Sequence, residues 1–202
     1  MDQHRHIRHR FKLSGHVGEH TSYPMIGVRG GRDRLAEVFN EFGYKTGVEI
    51  GTCKGAFALV LCKAIPGLAL TCVDPWLEYL PNRNPVTQAQ QELNYAEATT
   101  VLAPYGVTIL RQSSMEAVAN IPDNSLDFVY IDGDHQFDFV MMDILCWTKK
   151  VRAGGVLAGH DYFWFPDVAR AAQAYTDCHA SVHPWYVLRE HMGGTFFWIV
   201  QK

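Results

Sequence analysis

Two short stretches concentrate the groups able to move a proton or hold a cation: Asp132-Gly133-Asp134-His135 and Gly159-His160-Asp161-Tyr162. Each follows an apolar run of strand character, Leu126 to Ile131 and Val156 to Ala158. Carboxylates and imidazoles gathered in one place are costly to bury unless a cation neutralises them or they share protons. Such a set serves divalent-cation binding or general acid–base work. For any one of these residues the plain alternative is a helix N-cap, in which an aspartate accepts a backbone N–H. Three further strand-like runs also end in polar residues. Val48 to Ile50, which contains Glu49, stops at Gly51-Thr52; Leu68 to Val73 stops at Asp74; Val107 to Leu110 leads into Arg111-Gln112-Ser113-Ser114. Five successive polar tips make capping a weak explanation for the whole set.

The elements that must carry these tips follow from periodicity. Val48-Glu49-Ile50-Gly51-Thr52-Cys53-Lys54-Gly55 reads as a strand and a glycine turn, and an apolar helix then runs from Ala56 until Pro66-Gly67 stops it. Gly51 and Gly55 stand four positions apart, unlike the GxGxxG of pyrophosphate-binding loops. A turn of this kind presents free backbone N–H groups to a ligand. Asp74 follows about twenty residues on, at the end of the next strand, where an acid can accept both hydroxyls of a ribose. Arg32 to Phe42 places Leu35, Val38, Phe39 and Phe42 on one helical face, closed by Gly43. Thr87 is the expected N-cap of a helix reaching Pro104, and helices are expected over Phe137 to Lys150 and Pro166 to Tyr175. Trp185 to Leu188 and Thr195 to Val200 are β-rich runs joined closely enough to pair antiparallel. Alternating β and α units predict an α/β, doubly wound sheet whose ligands lie outside the carboxyl ends of its strands. Glu49, Asp74, Ser114, Asp132, His135, His160 and Asp161 would then line one crevice.

Composition narrows the alternatives. At 202 residues the chain is long enough for one domain with a proper core, and a formal charge of −3 gives no electrostatic case for nucleic acid. The scattered cysteines, Cys53, Cys62, Cys72, Cys146 and Cys178, show no metal-binding spacing and read as reduced thiols. No stretch has transmembrane length and the N-terminus has no signal-like apolar region, so no membrane partner and a cytoplasmic location are expected. Residues 1–20, with His4, Arg5, His6, Arg8, His9, Arg10, Lys12, His16 and His20, form a polar arm. It reads as a solvated, partly ordered terminus rather than a contact for an anion or metal. Residues 21–202 form the single domain. Oligomeric state stays open, a homo-oligomer included.

From about Gly47 onward the chain resembles the class I S-adenosylmethionine-dependent methyltransferases. The resemblance rests on Val48-Glu49-Ile50-Gly51 with Asp74, on Tyr130-Ile131-Asp132-Gly133-Asp134-His135, and on Gly154-Gly155-Val156-Leu157-Ala158-Gly159-His160-Asp161-Tyr162. Its nearest look is that of small-molecule O-methyltransferases of the catechol and macrolide-sugar type. It implies a mostly parallel, seven-stranded Rossmann-like sheet with a C-terminal antiparallel hairpin. It implies S-adenosylmethionine bound by Glu49, Gly51, Thr52, Asp74, Pro75, Trp76, Ser113, Ser114 and Asp132, and a small-molecule acceptor. In such relatives a divalent metal sits between an acid after the fourth strand and a pair after the fifth. Here those places hold Asp132, His160 and Asp161, and His160 stands where relatives carry a carboxylate. Imidazole suits Zn, Mn or Fe better than Mg. Asp132, His135 and His160 would carry the chemistry, with either histidine taking the proton from the acceptor hydroxyl. Trp76, Tyr79, Phe163 and Trp164 are packing residues for acceptor or adenine, or core and lid residues. A nicotinamide-dependent oxidoreductase, disfavoured by the missing GxGxxG, and a non-catalytic S-adenosylmethionine-binding domain are the competing readings.

Overall fold

The computed structural model describes residues 2–13, 23–27, 30–78, 86–191 and 193–202. His16, His20, Arg29, Tyr79 and the turn formers at 81–85 lie outside the described residues. In chain order the elements are α1 (Gln3–Arg10), β1 (Met25–Gly27), α2 (Gly31–Glu41), β2 (Thr46–Ile50), α3 (Ala56–Ala64), β3 (Ala69–Val73), α4 (Gln88–Leu102), β4 (Thr108–Leu110), α5 (Ser114–Val118), β5 (Leu126–Ile131), α6 (Phe137–Trp147), β6 (Val151–Gly159), α7 (Pro166–Cys178), β7 (Trp185–Leu188) and β8 (Thr195–Ile199).

The strands form one sheet in the order β1-β7-β8-β6-β5-β2-β3-β4. Every neighbouring pair is parallel except those made by β8, which runs antiparallel to both β6 and β7. Among the described residues the sheet has eight strands, one more than expected. The extra strand is the short β1, which pairs with β7 at the edge. With three residues and one buried side chain it carries no alternation to read.

Alternation sorts the core into two layers. In β5, Phe128 and Tyr130 face α2 and α3, whereas Val129 and Ile131 face α6 and α7. The face under α1–α3 is closed by aromatic packing, with Phe39 stacked on Phe128 at 4.6 Å. α1 belongs to that layer: Ile7 and Phe11 are buried in it, and Gln3 donates to Gly154 O. Gln3–Arg10 is therefore a docked helix, not part of a solvated arm. Its histidines and arginines had masked a single apolar stripe, and His6 and Arg10 pair with Glu41 and Glu37 of α2.

The chain runs from β2 outward to β3 and β4, then returns to place β5 and β6 on β2's other side. That reversal puts the switch point, and so the ligand crevice, between the tips of β2 and β5. The tips are joined directly, Asp132 N–H donating to Ile50 O at 2.8 Å. Gly51 has φ +84°, and a Cβ there would lie 2.0 Å from Asp132 O. Expected for approach to a ligand, this glycine is required first by the approach of the neighbouring strand tip.

Candidate active site

At the tip of β2, Glu49 is 2% exposed and its Oε2 has no hydrogen-bond partner; buried Thr52 Oγ1 is likewise unpaired. Burial, reinforced by the nearby charge of Asp132, pushes the Glu49 carboxyl up to about 8. Its folded value thus lies above its ordinary 4.5, so the fold retains a proton that the unfolded chain releases. The resulting stability is fully present below about pH 4.5 and is lost as pH rises through about 8. Glu49→Gln, neutral at every pH, is expected to flatten that part of the profile and to melt above the parent protein at alkaline pH. Thermal melts of both proteins across this range, without ligand, check it; parallel profiles would place Glu49 in a solvated setting.

Asp74, at the tip of β3, holds the glycine turn in place. Its Oδ2 accepts the Cys53 N–H at 2.9 Å and its Oδ1 the Trp76 N–H at 2.8 Å. Each oxygen keeps a lone pair for a further donor. Trp76 is fully buried, with φ +44° and its indole Nε1–H bonded to Cys53 O at 2.8 Å. It locks the turn rather than lining an open surface, and Pro75 beside it is exposed. Ser113 is the N-cap of α5 in a reciprocal box with Glu116. Ser114 Oγ bonds to Asp143 and accepts from Trp147 Nε1, so its hydroxyl is committed within the fold.

The acidic tips of β5 and β6 do meet. Ligand atoms of Asp132, His135 and Asp161 all lie within 4.8 Å of one another. His135 Nε2 stands 2.8 Å from Asp161 Oδ2, yet this buried nitrogen makes no aligned hydrogen bond. The ring is fixed by Phe165, stacked on it at 4.0 Å. His160, expected as a ligand, turns otherwise: its Nδ1 lies 3.2 Å from Asp161 Oδ1 and 3.5 Å from Asp132 Oδ1, and its Nε2 3.6 Å from Glu190 Oε2. Burial opposes charge on this imidazole, but contacts with Asp132, Asp161 and Glu190 prevail and raise it to about 11. These three carboxylates favour the charged imidazole and so disfavour His160, relative to His135, as the proton acceptor. Asp161 is held well below the usual carboxylate range: burial opposes this, and the close approach of His135 and His160 outweighs it. Asp134 turns aside to accept the Gln136 N–H. Phe163 and Trp164 are about half exposed after β6.

Two residues far away in sequence reach this cluster. Arg32, in the first turn of α2, donates through Nη1 to Asp132 Oδ2 at 3.0 Å, and its guanidinium lies 5.0 Å from the centre of the Phe57 ring. Glu190, just beyond β7, accepts the Arg32 backbone N–H at 3.0 Å and a bond from Thr195. Since the Thr195 hydroxyl proton is spent on Glu190, the Tyr130 hydroxyl is the donor in its 3.0 Å bond to Thr195 Oγ1. Glu190 was legible by the strand-tip rule that found Asp74 and Asp132. Arg32 had no local signal beyond its place after Gly30-Gly31.

Residues 48–162 match a family model described as "Methyltransferase domain". The chain belongs to this family and has the class I, S-adenosylmethionine-dependent methyltransferase fold. An uncharacterized protein of Acanthamoeba polyphaga mimivirus is 33% identical over 148 residues, 69% of this chain and 62% of that relative. The chain therefore spans less than two thirds of the curated relative's length. Solved structures with the same fold include an O-methyltransferase from Bacillus cereus in complex with SAH (15% identity, 84% of this chain and 80% of that one, TM-score 0.59). A Corynebacterium glutamicum protein also shares it (15% identity, 98% and 88%, TM-score 0.60). Arg32 and Glu190 both fall outside the family-matched segment.

Proposed function

We propose that this protein transfers the methyl group of S-adenosylmethionine to a hydroxyl oxygen of a small molecule, with a divalent cation held by Asp132, His135 and Asp161. One observation carries the reading: the Asp132–His135–Asp161 group is joined by a 2.8 Å bond to the strand tip that carries Glu49 and Gly51. An acceptor held at that group lies beside the cofactor's methionine end. The O-methyltransferase named among the structural relatives supports oxygen as the acceptor atom.

The residues fit both groups. Unpaired, buried Glu49 Oε2 and Thr52 Oγ1 suit the cofactor's ammonium, and the remaining lone pairs of Asp74 suit its ribose hydroxyls. The close but unaligned approach of His135 Nε2 to Asp161 Oδ2 suits two ligands sharing one cation, and a mixed nitrogen–oxygen set favours Mn, Zn or Fe over Mg. Bound there, such a cation supplies Lewis-acid polarisation of the acceptor hydroxyl. The chain itself orients the site: His160 and Arg32 fix Asp132, Phe165 fixes the His135 ring, and the β6–α7 turn with Phe163 and Trp164 offers apolar walls. Holding the oxygen in line with the methyl carbon contributes much of the rate.

A second reading has support of its own. Arg32 and protonated His160 already neutralise the carboxylates, so burial does not by itself demand a metal. His135, with its Nε2–H facing Asp161, then takes the acceptor's proton on its other ring nitrogen, Nδ1. The test follows labelled methyl transfer to a panel of small hydroxyl compounds after chelation, then after separate addition of Mn, Zn, Fe and Mg. Activity lost on chelation and restored best by Mn, Zn or Fe is the expected result. Full activity in the chelated enzyme removes the cation and leaves His135 as the base. A protein that binds S-adenosylmethionine but labels no hydroxyl compound would overturn oxygen as the acceptor.

A further inference from the structure

We infer that Arg32 binds the carboxylate of the cofactor's methionine end, so that the first turn of α2 completes the cofactor site from outside the family-matched segment. The inference rests on the S-adenosylmethionine reading above and extends it to the carboxylate of that ligand.

The methionine end of S-adenosylmethionine carries an ammonium and a carboxylate. The tips of β2 and β5 offer Glu49, Thr52 and Asp132, whose oxygens can accept from the ammonium, while none of the three is a cation that could pair with the carboxylate. Arg32 is the cation facing that same place, 3.0 Å from Asp132 Oδ2 and over Phe57 in the first turn of α3. Two unpaired, buried polar atoms, Glu49 Oε2 and Thr52 Oγ1, mark the spot as built for a ligand. A guanidinium presents five N–H donors in a planar fork; the bond to Asp132 uses one of them and the Tyr130 hydroxyl is a second partner, which leaves further N–H groups for a ligand. The fork can thus hold Asp132 and a second carboxylate together, with the bidentate geometry that a lysine ammonium lacks.

The position of the guanidinium is imposed by the fold. Glu190 accepts the Arg32 backbone N–H and packs against Gly31, where a Cβ would lie 2.9 Å from Glu190 Cγ. The end of β7 is thereby tied to the start of α2, and Arg32 is aimed at the β2–β5 switch point. Glu190 acts through Arg32 and His160 and is a positioning residue.

The test is calorimetric titration with S-adenosylmethionine and with its decarboxylated form, which keeps the sulfonium and the amine but lacks the carboxylate. The parent protein is expected to prefer the intact cofactor by about 10- to 100-fold, as a desolvated charge-assisted pair requires. Arg32→Gln should lose affinity for the intact cofactor and bind both ligands alike, while Arg32→Lys retains part of the preference. Circular dichroism melts establish that both variants are folded, and the comparison in the parent protein needs no variant. No preference in the parent protein, or a preference undiminished in Arg32→Gln, overturns the role of Arg32 alone. A parent protein that binds neither ligand overturns the cofactor reading and this inference together.

Discussion

Asp74→Ala is expected to weaken S-adenosylmethionine binding about 10- to 100-fold, corresponding to about 1.5–3 kcal/mol for charge-assisted hydrogen bonds removed from a sheltered site. The carboxylate is already oriented by the N–H groups of Cys53 and Trp76, so the ligand does not have to order it. The loss has two components, because the same carboxylate secures the glycine turn that shapes the cofactor's bed. Asp74→Asn separates them: it keeps one acceptor oxygen for the turn but lacks the charge for the ribose hydroxyls. Its affinity should fall between those of the parent protein and the alanine variant. Calorimetric titration of folded protein is the measurement, and unchanged affinity in Asp74→Ala would remove this residue from the site.

Asp161→Asn is expected to lower kcat/KM for methyl transfer by about 100-fold or more, the scale of a lost acid–base or charge partner at a reacting centre. Asp161 is 8% exposed and sits at φ +62°, a conformation that asparagine tolerates better than most residues, so the variant should fold. Gly193 packs directly over it, since a Cβ there would stand 2.5 Å from Asp161 Oδ1. The substitution removes the charge that meets both His135 and His160 without changing the size of the side chain. S-adenosylmethionine affinity should be preserved, because Asp161 stands just beyond β6, on the far side of β5 from the β2 tip. Undiminished turnover would sink the proposed acceptor site, and a parallel loss of cofactor affinity would move Asp161 into the cofactor's half of the crevice.

Sequence alone determined where the chemistry lies along the chain. Apolar runs ending in Asp74, Asp132 and Asp161 mark strand tips because a buried parallel strand must shed its apolar character where it emerges. Thr87 was readable as a cap because capping is decided within four residues. The order of β and α units likewise implied a doubly wound sheet, since parallel strands need a crossover between them. Tertiary structure alone decided which groups face one another. Arg32 and Asp132 are 100 residues apart, and their pairing depends on the start of α2 being tied to Glu190 beyond β7. His135 and His160 looked equivalent in sequence. Their ring directions are set by Phe165 on one side and by Glu190 and the loop between β7 and β8 on the other. Those are long-range contacts, and they set His160 among three carboxylates that favour its charged form, while His135 faces Asp161 as the candidate ligand or base.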